Sequence, residues 1–297
     1  MTNKFIISTD NCADYFKSDM QKLGIYFLPL KRILGDKEFA EIYDSHKEFD
    51  AFYEEIKKGA LPSTSQLNPN ELITHFKEIL AKDKEGDIIH ISLSSGVSGS
   101  HASAQAAANE LNPTLKGRKI YAFDSLTCTG AQMMLIDKFL ELRPNTAAEK
   151  AVKIMEEIRD NQHLFFMADD LFHLKRGGRV GAAKAVIGSL LGVKPILVFN
   201  KHGKLAVIDK TRGGKAAAWY LNAIAKYAAS PNEDFAGKTI QAIRTSQSET
   251  YTHILGALKE KYPKAIIKES RVGPIIGSHV GSGAFGFCFI GKPRLDV

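Results

Sequence analysis

Asp87-Ile88-Ile89-His90-Ile91-Ser92-Leu93-Ser94-Ser95-Gly96-Val97-Ser98-Gly99-Ser100-His101-Ala102-Ser103-Ala104 is the stretch on which the reading of this chain turns. Its first seven residues are apolar and β-branched, which predicts a buried parallel strand. From His101 onward Ala, Ser and Gln dominate, which predicts a helix slim enough to pack closely on a sheet. The seven residues between, Ser94 to Ser100, are serine, glycine and a single valine. A loop of hydroxyls and glycines between a strand's C-terminal end and a helix N-terminus is where open α/β sheets hold ligands. Free N–H groups and the positive end of the helix dipole then face an anion.

The same alternation extends in both directions. Lys4–Asp10 reads as a first strand. Ser45 and Glu48 form a capping box ahead of a helix whose apolar face is Phe49, Phe52, Tyr53 and Ile56. Asn68-Pro69-Asn70-Glu71 opens another helix, and Lys119–Phe123 is a further strand. Strand, loop and helix in rotation imply parallel pairing with right-handed crossovers. Leu142-Arg143-Pro144-Asn145 breaks the pattern. Beyond it, strands are expected at 164–167, 193–199, 205–209, 239–244, 265–268 and 285–290, with Asn200–Lys204 as a hairpin loop. The fold class is therefore α/β in two domains, 1–160 with a mainly parallel sheet and 161–297 with a mixed sheet and helices. A ligand head group is expected between them.

Bulk composition narrows the class. At 297 residues, 44% hydrophobic and 25% charged, the chain matches ordinary globular domains with a sizeable core. A net charge of +7 favours acidic partners, but the basic residues are dispersed and not interleaved with aromatics, so a nucleic-acid partner is not expected. Cys12, Cys128 and Cys288 are odd in number, widely spaced and without a CxxC pair. No disulfide framework or metal site is expected, and a reducing cytoplasm fits best. No apolar run reaches the ~18 residues of a bilayer span, nor does the N-terminus resemble a signal peptide.

Two further loops share the character of the first. Pro62-Ser63-Thr64-Ser65-Gln66 precedes a helix, and Ile276-Gly277-Ser278-His279-Val280-Gly281-Ser282-Gly283 precedes a late strand. Hydroxyls donate hydrogen bonds without charge, and glycines let the backbone approach a ligand, a combination suited to a carboxylate or phosphate. Read singly, each is a capped turn. Asp10, Asp14, Asp124, Asp169 and Asp170 read as caps, not metal ligands. Ser95, His279 and Asp124 supply the residue types of a hydrolase triad, but the G-x-S-x-G elbow is absent. Walker, GxGxxG and HExxH patterns are absent too. Leu171–Arg179 reads as a short helix stopped by Gly177 and Gly178, presenting Arg179 either as solvated charge or as a basic patch.

Taken together, these motifs resemble those of the DegV family of bacterial fatty-acid-binding proteins. Ser8-Thr9-Asp10-Asn11-Cys12-Ala13-Asp14 is similar to its opening T-D-S-x-A-D, and Thr64-Ser65-Gln66 to its T-S-Q. Ser94–Ser100 is similar to S-S-x-L-S-G-T. Leu174–Arg179, Val193-Lys194-Pro195-Ile196 and His279–Ala284 are similar to L-K-x-G-G-R, [I/V]-K-P-I and H-x-G-x-G-A. Departures occur at Asn11-Cys12, Leu67, Val97, Ser100 and Ser282.

The resemblance implies a carrier of one long-chain fatty acid, with the acyl tail buried and the carboxylate between domains. It implies a FakB-type role: the lipid-carrying subunit of a bacterial fatty acid kinase, not itself an enzyme and without a cofactor, serving phospholipid synthesis. A separate ATP-dependent kinase subunit would form the acyl-phosphate, with transient membrane contact as a further partner. By motif, Thr64 and Ser95 bind the carboxylate with His279 beside it, supported by Ser65 and Ser94. Arg179 serves kinase docking or phosphate handling. Phe165, Met167, Ile187, Leu190, Leu191, Phe285 and Phe287 are candidate tail-pocket residues, apolar positions that otherwise read as core. The rival readings are a lipid-sensing regulatory protein, a serine hydrolase and a phosphotransferase.

Overall fold

The computed structural model describes residues 5–40, 42–168, 172–179 and 193–297. In its first part the strands are β1 (Ile6–Asp10), β2 (Ile25–Leu28), β3 (Lys31–Leu34), β4 (Lys37–Phe39), β5 (Ser63–Ser65), β6 (Ile88–Ser92) and β7 (Ile120–Asp124). The helices are α1 (Lys17–Leu23), α2 (His46–Lys57), α3 (Pro69–Lys82), α4 (Ser100–Leu111), α5 (Thr129–Leu142) and α6 (Ala148–Asp160). A four-stranded sheet in the order β2-β1-β6-β7 is parallel throughout. All five residues of β6 are buried, as expected of an interior strand covered on both faces. One face carries α3 and α4, where Ala104, Ala107 and Ala108 pack beside Phe76 and Ile120. The other carries α6 and part of α5 against Ile7, Ile89, Ile91 and Phe123.

The second part holds β8 (Gln162–Met167), α7 (Phe172–Arg176), β9 (Val193–Phe199), β10 (Leu205–Arg212), α8 (Ala216–Tyr227), β11 (Thr239–Arg244), α9 (Glu249–Lys261), β12 (Ile266–Arg271), α10 (Pro274–Val280) and β13 (Phe285–Ile290). Six strands in the order β10-β9-β8-β13-β11-β12 make a mixed sheet, with only β11 and β12 parallel. This is the mixed architecture anticipated. Helices α8 and α9 close its outer face over an aromatic core of Phe165, Tyr220, Tyr251, Phe287 and Phe289. Its inner face, with Leu164, Phe166, Leu197 and Ile243, joins one apolar cluster with Leu72, Phe76, Leu93 and Ala131 of the first part. Helix α5 lies between the sheets: Gln162 Nε2 donates to the Ala131 carbonyl across the junction.

Several elements differ from the sequence reading. Ser63–Ser65 is a strand, not a loop. It pairs with β3 in a small antiparallel sheet, β4-β3-β5, that hydroxyl residues gave no periodicity to announce. Ile276–Val280 is helix, not loop. Gly277 lies inside it because α10 presses on α2, where a Cβ would come 2.5 Å from Tyr53 Oη. Helix α6 has Ala147 as its N-cap, with no side-chain cap hydrogen bond. Asn68 and Glu71 do form a reciprocal capping box. Ser45 Oγ accepts the Glu48 amide, but Glu48 reaches back to the amide of Asp44. The proposed caps Asp169 and Asp170 lie outside the described residues.

Candidate functional site

Between the two sheets lies a cavity with about 780 Å³ of atom-free space, counting the part continuous with solvent. Most of its wall is apolar: Leu30 and Leu93 from the first part; Leu164, Phe166, Phe199, Leu205 and Ile243 from the mixed sheet; Leu174 from α7; Ile275 and Val280 from α10. Strand parity decides which residues of β8 face it. Leu164 and Phe166 point inward, and Phe165 and Met167 point into the aromatic core beneath α8 and α9. Phe165, Met167 and Phe287 are therefore core residues, not pocket residues, a correction to the sequence reading. Phe285, at the start of β13, does line the cavity. Ile187, Leu190 and Leu191 lie outside the described residues.

Polar groups in the wall gather chiefly at Thr64, Gln66, Ser98, Arg179 and His279. Thr64, on β5, and His279, on α10, are 215 positions apart, yet Thr64 Oγ1 and His279 Nε2 are 2.8 Å apart. Burial, then the nearby Arg179 and Arg176 cations, hold the His279 imidazole down to about 4, so it is neutral near pH 7. Its Nδ1 is buried without a hydrogen-bond partner among the described residues. The tautomer with the proton on Nε2 uses that proton on Thr64 and leaves only a lone pair unmet at Nδ1. Thr64 then accepts from His279, and its own hydroxyl proton is free to donate to a ligand.

Three local devices hold this pair. Helix α7 ends in a Schellman motif: Gly178 has φ +71°, its amide donates to the Lys175 carbonyl, and the Arg179 amide donates to that of Leu174. Gly177 lies against His279, and a Cβ there would collide with Nδ1. Arg176 donates to the carbonyls of Leu61, Pro62 and Ser278, tying α7 to the approach of β5 and to α10. Arg176, Gln66 and Ser98 were not singled out from sequence, although all three sit inside quoted motifs. Arg179, expected to face a partner, is half-buried in the cavity wall, with Nε on the Val97 carbonyl and a terminal nitrogen on that of Gly177.

The 94–100 loop departs furthest from expectation. None of its amides is free. Ser94 donates to the Thr127 carbonyl, Ser95 to Asp124 Oδ1, and Gly96 to Ser94 Oγ. Val97 and Ser98 donate to the Ser94 carbonyl, Gly99 to Gln66 Oε1, and Ser100 to Ser98 Oγ. This backbone therefore offers an anion no free amide. Ser94 is fully buried, its hydroxyl donating 2.6 Å to the Gly203 carbonyl of the β9–β10 hairpin, and so does not line the cavity. Ser65 is half-buried and also outside the lining. Ser95 is exposed, also outside the lining, and its hydroxyl has no partner among the described residues. His279 is engaged by Thr64, and Asp124 by the amides of Ser95 and Leu126, so Ser95, His279 and Asp124 form no triad.

Asp10 caps the turn after β1 and accepts from the amides of Cys12 and Leu93 and from Gln132; burial raises it to about 6. The three cysteines are buried free thiols. Among the described residues there is no group of three or more His, Cys, Asp or Glu able to hold a metal ion, and no helix long and apolar enough to cross a membrane.

A parallel α/β half and a mixed-sheet half, enclosing an apolar cavity with a hydroxyl–imidazole corner, define the architectural class. Residues 4–292 match the family described as "Uncharacterised protein, DegV family". The chain is 35% identical over 289 residues to the protein DegV of Bacillus subtilis, covering 96% of this chain and 99% of that one. It is 32% identical over 294 residues to a DegV domain-containing protein of Clostridium perfringens, covering 98% and 99%. The crystal structure described as DegV, a fatty acid binding protein from Bacillus subtilis, superposes with a TM-score of 0.82 at 32% identity, over 98% of this chain and 100% of that one. A DegV family protein from Thermus thermophilus shares the fold at 24% identity, with a TM-score of 0.81 over 97% and 99% of the two chains. The chain belongs to the DegV family.

Proposed function

We propose that the protein holds one long-chain fatty acid, tail in the cavity and carboxylate at Thr64, His279 and Arg179, and presents that carboxylate to an ATP-dependent kinase subunit. The observation that carries the binding half is the cavity itself: apolar, walled by both parts of the chain, with its main polar cluster at the neutral Thr64–His279 pair. Each buried methylene contributes roughly 0.8 kcal/mol, so about fourteen supply on the order of 10 kcal/mol before ordering costs. A carboxylate buried without donors would lose several of those kcal/mol. Thr64 meets it from within. Ser95, exposed and outside the lining, is the second donor that the motif resemblance names. Arg179 already bonds two carbonyls, so it adds positive potential without a bidentate clamp and leaves a carboxylate oxygen available for phosphoryl transfer. Presentation to a kinase rests on the family resemblance.

The test is direct. Protein purified from a bacterial host, denatured and analysed by lipid mass spectrometry is expected to release one fatty acid per chain. Recovery of none, together with no binding of added stearate or oleate, would refute the reading. Mixing loaded protein with a fatty acid kinase catalytic subunit and ATP is expected to yield acyl-phosphate; loaded protein that yields none removes the presentation half alone.

A further inference from the structure

Thr129 opens α5 with φ +57°, a left-handed conformation that a β-branched residue adopts only under constraint. Its side chain is 2% exposed and lines the cavity, yet Oγ1 is buried without a hydrogen-bond partner among the described residues. The Cys128 thiol beside it, kept protonated by burial, accepts from it only as a weak sulfur acceptor and outside good hydrogen-bond geometry, which does not satisfy a buried hydroxyl. The backbone has little freedom to relieve this. A Cβ on the next residue, Gly130, would come 2.5 Å from Ile243 Cγ2 and 2.7 Å from Gln241 Cγ, so α5 is seated tightly on β11 at this point. Thr129 belongs to neither β5 nor α10, which carry Thr64 and His279, and a carboxylate held by that pair leaves its hydroxyl unmet. A plain alkyl chain along this wall leaves it unmet as well.

We propose that Thr129 selects acyl chains carrying an oxygen substituent, a hydroxyl or keto group, part-way along the chain, with that oxygen bonding the Thr129 hydroxyl. The inference rests on the fatty-acid reading above and deepens it by naming a ligand class. Discrimination of this kind is asymmetric: a site with a polar group to satisfy penalises the analogue that cannot pair with it more than an apolar site penalises an added hydroxyl.

Delipidated protein is titrated with stearate and with a series of hydroxystearates differing in hydroxyl position. One stretch of the series is expected to bind roughly tenfold tighter than stearate. Thr129→Val, which keeps the shape and removes the hydroxyl, is expected to abolish that preference, and Thr129→Ser to retain it. The wild-type series stands without the variants should either misfold. Stearate binding with no isomer preferred, an unchanged preference in Thr129→Val, or an ordered water on Oγ1 in both the stearate and hydroxystearate complexes would overturn the inference. Failure of stearate and every isomer to bind is a separate result, which removes the fatty-acid reading and this one with it.

Discussion

At the scale of single residues, the two hydroxyls of the proposed head-group site stand in different surroundings. Thr64 is half-buried and held by a neutral imidazole, whereas Ser95 is exposed to competing water. Thr64→Val is therefore expected to weaken fatty-acid binding by about 1–3 kcal/mol, the cost of an unmet buried acceptor. Ser95→Ala is expected to cost less, because water replaces the lost donor. Calorimetric titration of both variants with oleate checks the order; a larger loss for Ser95 would show that the carboxylate sits outside the Thr64 corner. Thr64 was legible from sequence through its motif. Its partner atom was not, because a contact across 215 positions leaves no trace in local spacing. Arg179 was found by the same route, but its place in the cavity wall was not, since a glycine-rich segment before an arginine says nothing about which way the Schellman turn will aim it.

Among the elements, the β9–β10 hairpin clasps the 94–100 loop through glycines that leave no room for anything larger. Gly203 has φ +66°, and a Cβ there would collide with Ser94 Oγ and crowd Leu126; one on Gly96 would collide with the Gly203 carbonyl. Gly203→Ala thus meets a left-handed backbone cost of about 1–2 kcal/mol plus the clash, and is expected to lower the thermal midpoint by several degrees in a calorimetric scan. Unchanged melting would mean that the hairpin does not hold the loop. Sequence reading located most of these elements, because Ile88–Leu93, Phe49–Ile56 and Phe285–Ile290 carry strong periodicity. It missed β5, since Ser-Thr-Ser has no apolar alternation, and it opened α10 into a loop, since the glycine that allows close packing on Tyr53 also reads as a turn. The pocket face of β8 was misassigned because Leu164-Phe165-Phe166-Met167 is apolar at every position, so nothing local says which parity faces the ligand.

For the molecule as a whole, buried histidines set the acid limit. His75 and His163 are both held down to about 4, chiefly by burial, against an ordinary value of 6.5. A depressed histidine contributes stability that is complete above pH 6.5 and is lost as pH falls toward 4, because the unfolded chain takes up the proton first. Each loss is on the order of 3 kcal/mol. Asp10, raised to about 6, works in the opposite sense, stabilising the fold as pH falls from 6 toward 3.8 and offsetting part of one histidine. Urea midpoints are therefore expected to be flat from pH 8 to 7 and to decline between pH 6 and 4.5; a midpoint that rises across that interval would contradict the burial of these side chains. The seven engaged amides of the 94–100 loop bear on kinetics. A segment with every donor already committed has nothing to rearrange when a guest arrives, so its deuterium uptake should be slow and identical in empty and loaded protein. Whatever gives way to admit or discharge an alkyl chain must then be sought elsewhere along the rim, and difference exchange maps would locate it.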